Sequence, residues 1–230
     1  MKLEKITDAR KTADKRWYDD ACGTALAMEL VGERWSLLIV RELMFGPRRF
    51  GELRGGLPGI SANVLTQRLE GLEAAGILTR RKLPPPASVQ VYELTPWGYE
   101  SEVAIQELGR WAVRSHAHDA TLPLSAASIM MSFRTMIDRS RSGDVGNTVG
   151  FLLGNEGFLA VIDAAGIAIR RVDAPQAPVV LSTDPMTLAS LVYGGRPFAD
   201  AEAAGVLRIE GDRALAERFV TLFPLPPKIS

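Results

Sequence analysis

The sequence predicts an α+β protein with a mainly helical N-terminal half and a C-terminal half of mixed strands and helices. Helix signals dominate up to about residue 115 and are interrupted by one pair of strand signals. Small, polar and proline residues then fill the stretch 116–127, and beyond it strand signals alternate with short helices. We therefore predict a polar N-terminal arm (1–19), a first domain (20–115), a linker (116–127) and a second, α+β domain (128–230).

The composition is that of an ordinary globular protein, with 47% hydrophobic and 23% charged residues in a chain of 230. The formal net charge is zero, so the charge of the whole chain favours neither a nucleic-acid nor a membrane partner. A single cysteine rules out an intrachain disulfide, and the charged N-terminus lacks the apolar core of a signal peptide. No apolar run approaches the roughly 20 residues that span a bilayer. These features predict a cytoplasmic protein without a membrane partner.

Three helices are predicted ahead of the most informative segment. The first covers about 20–31 and ends at Gly32. The second covers about 33–45 and is apolar on most sides, so it is expected at the centre of a domain. A short third helix is predicted at 49–53, and a turn rich in glycine and proline follows it.

The fourth predicted helix, 61–75, has a start signal, a stop signal and two unlike faces. Ser61 can accept a hydrogen bond from a backbone N–H of the first turn, and Gly76 stands where helices often end. Leucines at helical spacing form one apolar stripe, which consists of Leu65, Leu69 and Leu72. The opposite face carries the polar residues Asn63, Thr66, Gln67 and Glu70.

This polar face has two interpretations. For a helix in isolation, a solvated surface is the simpler one. However, asparagine and glutamine can each make paired hydrogen bonds to adenine in a DNA major groove. The third and fourth helices, joined by a glycine-rich turn, match a helix-turn-helix pattern. The segment 46–82 also holds seven basic and three acidic residues, which favours the DNA-facing interpretation.

Two strands, 77–82 and 89–94, are predicted to form a β-hairpin beside the helix-turn-helix. Such a hairpin is a wing. The basic residues at its base are Arg80, Arg81 and Lys82. Thr95 and Pro96 then begin a helix predicted over 97–113. Helices outside the winged unit commonly supply a dimer interface.

The C-terminal half is predicted to start with an apolar, methionine-rich helix over 129–137. Three strands separated by short turns predict an antiparallel meander, at 148–153, 157–162 and 166–171. Two more strands are predicted at 179–182 and 206–209, and two more helices at 185–192 and 212–222. This order of elements is typical of a small α+β domain.

Four stretches of the N-terminal half share their order and spacing with a known family: GERWSLLIVREL (32–43), GPRRFGEL (46–53), ISANVLTQRLEGLEAAGI (60–77) and YELTPWG (92–98). They resemble the HxlR-type (MarR-like) winged-helix transcriptional regulators over about two-fifths of the chain. The resemblance implies a homodimer that binds a double-stranded DNA operator, with the fourth helix in the major groove and the wing along the backbone.

The resemblance also implies roles for individual residues. The side chains that would face bases are Asn63, Thr66 and Gln67. Those that would hold phosphates are Arg49, Ser61 and Arg68, and those that would support the wing are Arg80 and Arg81. The chain departs from the family at the wing tip, which reads PPPASVQ (84–90) where many members carry an arginine.

The C-terminal half resembles the sterol-carrier-protein-like fold over roughly 125–226. The resemblance rests on VLSTDPMTLASL (180–191), the pair Gly194-Gly195 and AGVLRIEGD (204–212). It implies an apolar cavity for a hydrophobic small-molecule effector. The candidate ligand-binding residues are Met130, Phe133, Met136, Phe158 and Leu191. These side chains could equally form a plain core, because methionine packs adaptably there.

Other chemistry receives little support from the sequence. Cys22 lies near the start of the first helix, where a thiol pKa can be lowered, and some members of the resembling family use such a cysteine as a redox switch. A lone cysteine is nevertheless more often a small buried residue. His116 and His118 lack further ligands for a metal site, and no catalytic residues or cofactor motif are found.

We therefore predict a DNA-binding regulator, no enzymatic activity, no metal and no cofactor. The alternative is a carrier of hydrophobic ligands or a protein-interaction module whose winged helix no longer binds DNA.

Overall fold

A computed structural model of the chain describes residues 18–84, 88–142 and 147–230. The predicted polar arm, apart from its last two residues, and wing-tip residues 85–87 therefore lie outside the described part. The N-terminal half contains the elements α1 (Gly23–Val31), α2 (Ser36–Leu43), α3 (Phe50–Gly56), α4 (Ala62–Ala74), β1 (Leu78–Lys82), β2 (Gln90–Leu94), α5 (Pro96–Glu100) and α6 (Glu102–Ala112). The helix-turn-helix and its hairpin thus lie where the sequence predicts them.

The predicted boundaries of α4 are confirmed at both ends. The Ser61 hydroxyl accepts a hydrogen bond of 3.2 Å from the Val64 N–H, which satisfies a donor of the first turn. At the other end Gly76 has a φ of +73°, and the Ile77 N–H donates to the Leu72 carbonyl at 2.9 Å. Glycine adopts this left-handed conformation at no steric cost, so the chain can turn directly into β1.

The second helix begins later than predicted, at Ser36 rather than near residue 33. Trp35 stands immediately before it with a φ of +81°, a left-handed conformation that is unusual for a large side chain. Its ring lies beside the turn into α4, since a side chain at Gly59 would come within 3.9 Å of it. A residue in this conformation cannot belong to a right-handed helix, so α2 starts directly after Trp35.

The helix predicted over 97–113 is divided into α5 and α6. Ser101 separates them, and its hydroxyl donates to the Gly98 carbonyl at 2.7 Å. This local bond competes with the helical ladder, which explains the break. Thr95 caps α5 as predicted, since its hydroxyl accepts from the Gly98 N–H at 3.0 Å.

The C-terminal half consists of a five-stranded sheet with helices. Its elements are α7 (Ala126–Met136), α8 (Arg139–Ser142), β3 (Asn147–Leu153), β4 (Glu156–Asp163), β5 (Gly166–Val172), β6 (Val179–Thr183), α9 (Pro185–Val192), α10 (Phe198–Ala203), β7 (Leu207–Gly211) and α11 (Arg213–Val220). The strand order is β5-β4-β3-β6-β7, in which β3 and β6 are parallel and the other neighbours are antiparallel. The predicted meander β3-β4-β5 is confirmed.

Two features of this half differ from the predictions. Because the Ser125 hydroxyl accepts from the Ser128 N–H at 3.0 Å, α7 already starts at Ala126, inside the predicted linker. The short helices α8 and α10 were not predicted from the sequence, and each has six residues or fewer. Segments this short carry little periodic signal.

Four phenylalanine rings fill the centre of the C-terminal half. Phe133 of α7 stacks on Phe223, with ring centroids 4.5 Å apart, and meets Phe219 of α11 edge-on at 5.3 Å. Phe151 of β3 packs against Phe219 at 5.2 Å. All four rings are essentially inaccessible to solvent. They hold α7 and α11 against the sheet.

The two halves pack directly on each other, and their buried residues form one continuous cluster. Phe45, two residues after α2, meets Phe158 of β4 edge-on at 5.8 Å. The guanidinium of Arg134 lies 4.4 Å from the centre of the Phe45 ring and donates to Glu102 of α6 at 2.9 Å. The predicted domain limits stay a prediction. The C-terminal half packs against the winged helix and thereby supports it.

The C-terminal tail returns to the end of α6. Its Ile229 N–H donates to the Arg114 carbonyl at 2.9 Å, and Lys228 donates to the Val113 and Ser115 carbonyls at 2.9 and 3.0 Å. His116, which the sequence left without a role, lies 2.9 Å from the Ile229 carbonyl through Nε2. Within the described ranges, none of the helices has the length and apolar character needed to cross a membrane.

Candidate nucleic-acid interface

Helix α4 has one buried and one exposed face. The leucine stripe is at most 2% exposed, which anchors the helix in the N-terminal core. On the opposite side Asn63, Thr66 and Gln67 are all exposed to solvent. The predicted base-facing residues are therefore brought together on one accessible surface, at the N-terminal part of the helix. Amide and hydroxyl groups in this position are suited to hydrogen bonding with base edges.

Two of the predicted phosphate-binding residues lie at the N-terminal ends of helices. Ser61 is exposed, and its hydroxyl oxygen accepts from Val64 while its own proton remains able to donate. Arg49 is exposed at the start of α3, where its backbone N–H donates to the Glu52 carboxylate at 2.8 Å. A helix N-terminus favours an anion through its free N–H groups and dipole. Both positions can therefore interact with a DNA backbone.

The third predicted phosphate-binding residue, Arg68, is engaged within the protein. Its Nη2 lies 2.9 Å from a carboxylate oxygen of Glu33, and its Nε donates to the Arg34 carbonyl at 3.1 Å. These contacts tie α4 to the loop before α2. Before it can contact a phosphate, Arg68 must give up or share these partners, so its role in positioning α4 has the more direct support.

The arginines at the base of the wing also form ion pairs. Arg80 Nε lies 2.8 Å from Glu73 of α4, and Arg81 pairs with Glu93 across the hairpin. In each case the hydrogen bond to the glutamate raises the arginine pKa above its ordinary value. The pair between Arg80 and Glu73 links the wing to α4, which agrees with the predicted supporting role. That role stays a prediction.

Three further basic residues are exposed in the same unit, although the sequence did not single them out as DNA-binding. They are Arg34, Arg54 and Lys82. Arg34 is close to α4, because its carbonyl accepts from Arg68, and its guanidinium lies 5.4 Å from the centre of the Trp35 ring. The available signal was a basic residue in the loop before α2. The hydrogen bond between its carbonyl and Arg68, which lies 34 residues later in the chain, shows that Arg34 is next to α4.

Helices α1 and α6 expose apolar side chains. On α1 these are Leu26 and Met28, and on α6 they are Val103, Leu108 and Trp111. Trp111 is 73% exposed, and neither helix has a buried residue within the described part of the chain. Several exposed apolar side chains on one regular helix are typical of an interaction surface.

Cys22 lies immediately before α1 and is exposed, in contrast to the buried position that is usual for a lone cysteine. Hydrogen bonds from the Thr24 backbone and side chain, followed by that from the Ala25 backbone, lower the pKa of the thiol. Exposure and a lowered pKa both favour the reactive thiolate. Redox activity of Cys22 stays a prediction.

The predicted ligand-binding residues of the C-terminal half have different surroundings. Met130, Phe133 and Phe158 are inaccessible to solvent, and Met136 is nearly so, which matches the plain-core alternative. Leu191 lines a surface cavity of about 560 Å³ together with Phe198 and Val220. The structure therefore does not bring the five residues together around one cavity within the described part of the chain.

Comparison with known proteins identifies the N-terminal half. A sequence model of the family described as HxlR-like helix-turn-helix matches residues 30–120. The HTH-type transcriptional regulator YodB of Bacillus subtilis is 40% identical over 86 residues, which cover 37% of this chain and 77% of that protein. The chain belongs to the HxlR-like helix-turn-helix family.

Other relatives of this HxlR-like chain are also named as transcriptional regulators. The uncharacterised HTH-type transcriptional regulator YvaP of B. subtilis is 35% identical over 86 residues, with 37% of this chain and 80% of that protein covered. A solved structure of the reduced form of YodB from B. subtilis is 36% identical, covers 43% of this chain and 98% of that chain, and has a TM-score of 0.39. These relatives are transcriptional regulators, as predicted, and not enzymes.

The family match ends at residue 120, before α7. The HxlR-like classification therefore describes the winged helix-turn-helix. The sterol-carrier-like resemblance of the C-terminal half stays a prediction.

Proposed function

We propose that the chain is a sequence-specific, homodimeric DNA-binding transcriptional regulator. The observation that carries the proposal is the division of α4 into a buried leucine face and an exposed face bearing Asn63, Thr66 and Gln67. These side chains would contact base edges, whereas Arg49 and Ser61 would contact the DNA backbone. Base contacts determine sequence preference, and phosphate contacts fix position and supply non-specific affinity.

Dimer formation is proposed from the exposed apolar side chains of α1 and α6. Covering residues such as Val103 and Trp111 with the same surface of a second copy would remove them from water. Large aromatic residues are enriched among those that dominate interface energies. A two-fold dimer would place two copies of α4 in successive major grooves of a near-palindromic operator.

Control by a hydrophobic small molecule in the C-terminal half stays a prediction. All five candidate residues belong to the buried core. Among the described surface cavities, the one beside Leu191 is lined by apolar side chains and corresponds best to the predicted effector site.

The proposal is tested by titrating the protein against its own upstream DNA and against a scrambled duplex of equal length. Fluorescence anisotropy at one fixed salt concentration gives both dissociation constants. We expect the upstream duplex to bind at least about a thousandfold more tightly, as is usual for specific operators. The salt concentration must be matched because phosphate contacts dominate non-specific affinity.

Equal affinity for the two duplexes would contradict the proposed function if the upstream fragment covers the complete promoter region. That result would favour the alternative, a module whose winged helix binds protein instead of DNA.

A further inference from the structure

A cavity of about 500 Å³ lies where the two halves of the chain meet. Arg48 and Gly56 line it from the helix-turn-helix side, and Ser125, Glu156 and Arg171 line it from the other. Its volume is within the range of small-molecule binding sites in proteins. The winged helix contributes one guanidinium and the C-terminal sheet contributes another. The cavity therefore joins the DNA-binding unit to the accessory half.

Two arginines share one carboxylate oxygen at the inner side of this cavity. Arg48 Nη1 lies 2.8 Å from Glu156 Oε2, and Arg171 Nη2 lies 3.2 Å from the same oxygen. Arg48 is only 8% exposed. Desolvation by burial, followed by the positive charge of Arg48, lowers the pKa of Arg171, although Glu156 acts in the opposite direction. Two closely spaced, largely buried cations thus share the Glu156 carboxylate, and Arg48 has a second, longer ion pair with Glu52.

The guanidiniums retain hydrogen-bonding capacity. The Nε atoms of both Arg48 and Arg171, and the Nη2 of Arg171, are buried without a hydrogen-bond acceptor in the described part of the chain. The close approach of Arg171 Nη2 to Glu156 lacks hydrogen-bond geometry. A buried donor without an acceptor is costly, particularly when it carries charge. Both side chains line the cavity, but these three atoms have almost no accessible surface. An acceptor in the cavity would therefore satisfy them once the guanidiniums turn toward it.

Three other carboxylates lie near the cavity, one engaged within the protein and two exposed to solvent. Glu42 is occupied, since it pairs with Arg41 at 2.8 Å and accepts from the Ser125 hydroxyl at 2.6 Å. Glu52 and Asp173 are exposed, and Glu52 lies 3.7 Å from Arg48 Nε. Because three acidic residues, Glu52, Glu156 and Asp173, line the cavity beside the two arginines, a polyanion is disfavoured there. A small molecule with one anionic group fits this charge distribution better.

We propose that this cavity is an effector site for a small organic oxyanion, whose carboxylate or phosphate group is bound by Arg48 and Arg171. Both groups present several acceptor oxygens, which match the fork of guanidinium donors. The remaining volume accommodates the organic part of the molecule, which faces Ser125 and the glycine at position 56.

Arg48 connects this cavity to the DNA-binding elements. Its backbone N–H donates to the Tyr92 carbonyl of β2 at 2.9 Å, and the Tyr92 N–H donates back at 2.8 Å. The next residue, Arg49, precedes α3. A ligand that repositions Arg48 would therefore shift the wing and the first helix of the helix-turn-helix. This effect on DNA rests on the proposed regulatory function, whereas ligand binding itself does not.

Binding is tested on the full chain with phenyl phosphate, benzoate and the neutral analogue benzyl alcohol. Thermal shift and calorimetric titrations are made at constant ionic strength. We expect at least one anionic probe to raise the melting temperature and benzyl alcohol to have no effect. The probe that binds more tightly tells whether the site prefers a phosphate or a carboxylate. If neither anionic probe raised the melting temperature more than benzyl alcohol does, the proposed site would be wrong.

Three variants separate a binding role from a structural one. Arg171→Gln should weaken binding of the anionic probe about tenfold, corresponding to one charge-assisted hydrogen bond. Arg208→Gln, which alters a 77% exposed arginine on β7, should leave it unchanged. Glu156→Gln removes the competing carboxylate, so the probe should bind more tightly and raise the melting temperature more than in the wild type. Weaker binding by Glu156→Gln would contradict the proposal, and this variant remains decisive if Arg171→Gln does not fold.

The effect on DNA is measured separately. Operator affinity should change at least about threefold when the wild-type protein is saturated with the probe, and should not change for Arg171→Gln. Probe binding with unchanged operator affinity would overturn the effector role. Absence of any operator preference would instead contradict the proposed function, while the probe titrations still decide whether the site exists.

Discussion

Replacing Phe133 with alanine is expected to lower the free energy of unfolding by about 3–5 kcal/mol. The Phe133 ring is fully buried and contacts Phe223, Phe219 and Phe151 in the centre of the C-terminal half. Removing it leaves a cavity between α7 and the sheet that the rigid neighbouring rings can fill only partly. Chemical denaturation followed by circular dichroism measures the change.

Val161→Ala provides a control in the same sheet. Val161 is 36% exposed on β4, so its truncation should change the free energy of unfolding by about 0.5 kcal/mol or less. A loss below about 1 kcal/mol for Phe133→Ala would contradict the packing described here. It would instead favour an adaptable, ligand-accommodating interior.

Replacing both Asn63 and Gln67 with alanine is expected to abolish most of the preference for the operator. Each bidentate contact to a base is worth about 1–3 kcal/mol of discrimination. Non-specific affinity should remain nearly constant, since it comes from backbone contacts that the two substitutions leave in place. Anisotropy titrations with operator and scrambled duplexes at one salt concentration measure both quantities.

Gln176→Ala is the matched control, because Gln176 is an exposed glutamine in the C-terminal half. It should leave both affinities unchanged. If the double variant lost affinity equally for operator and scrambled DNA, Asn63 and Gln67 would act through the backbone or through folding, and the base-reading role would be wrong.

Much of the N-terminal fold could be predicted because its signals are local. A capping hydroxyl at Ser61, a leucine stripe and a left-handed Gly76 lie within one helix and its ends, so they are visible in a short sequence window. The wing hairpin of the N-terminal half and the meander of the C-terminal half both follow from strand signals separated by turn residues. In each case the local preference and the final fold agree.

The features that escaped prediction depend on contacts between distant residues. Trp35, whose ring lies beside the turn at Gly59, has a left-handed backbone, and α2 starts after it. The pair between Arg48 and Glu156 joins residues 108 positions apart, and it forms only after the two halves have packed. No periodicity or spacing encodes such a pair. The cavity between the halves was therefore invisible in the sequence.

The same limit applies to the candidate DNA-binding residues. Sequence and family resemblance placed arginines near α4 and the wing, but did not reveal their partners. Arg68 and Arg80 are bound by glutamates from neighbouring elements, and these pairs depend on the tertiary arrangement. For that reason Asn63, Thr66 and Gln67, which are exposed on α4, carry the proposal more directly than the paired arginines do.

The central claim is that two copies of α4 bind successive major grooves of one operator. Hydroxyl-radical footprinting of the protein on its own upstream DNA tests it most directly. We expect two protected half-sites of related, inverted sequence, with centres about 10–10.5 base pairs apart or a multiple of that spacing. Uniform protection, or a single protected half-site at saturating protein, would contradict the account.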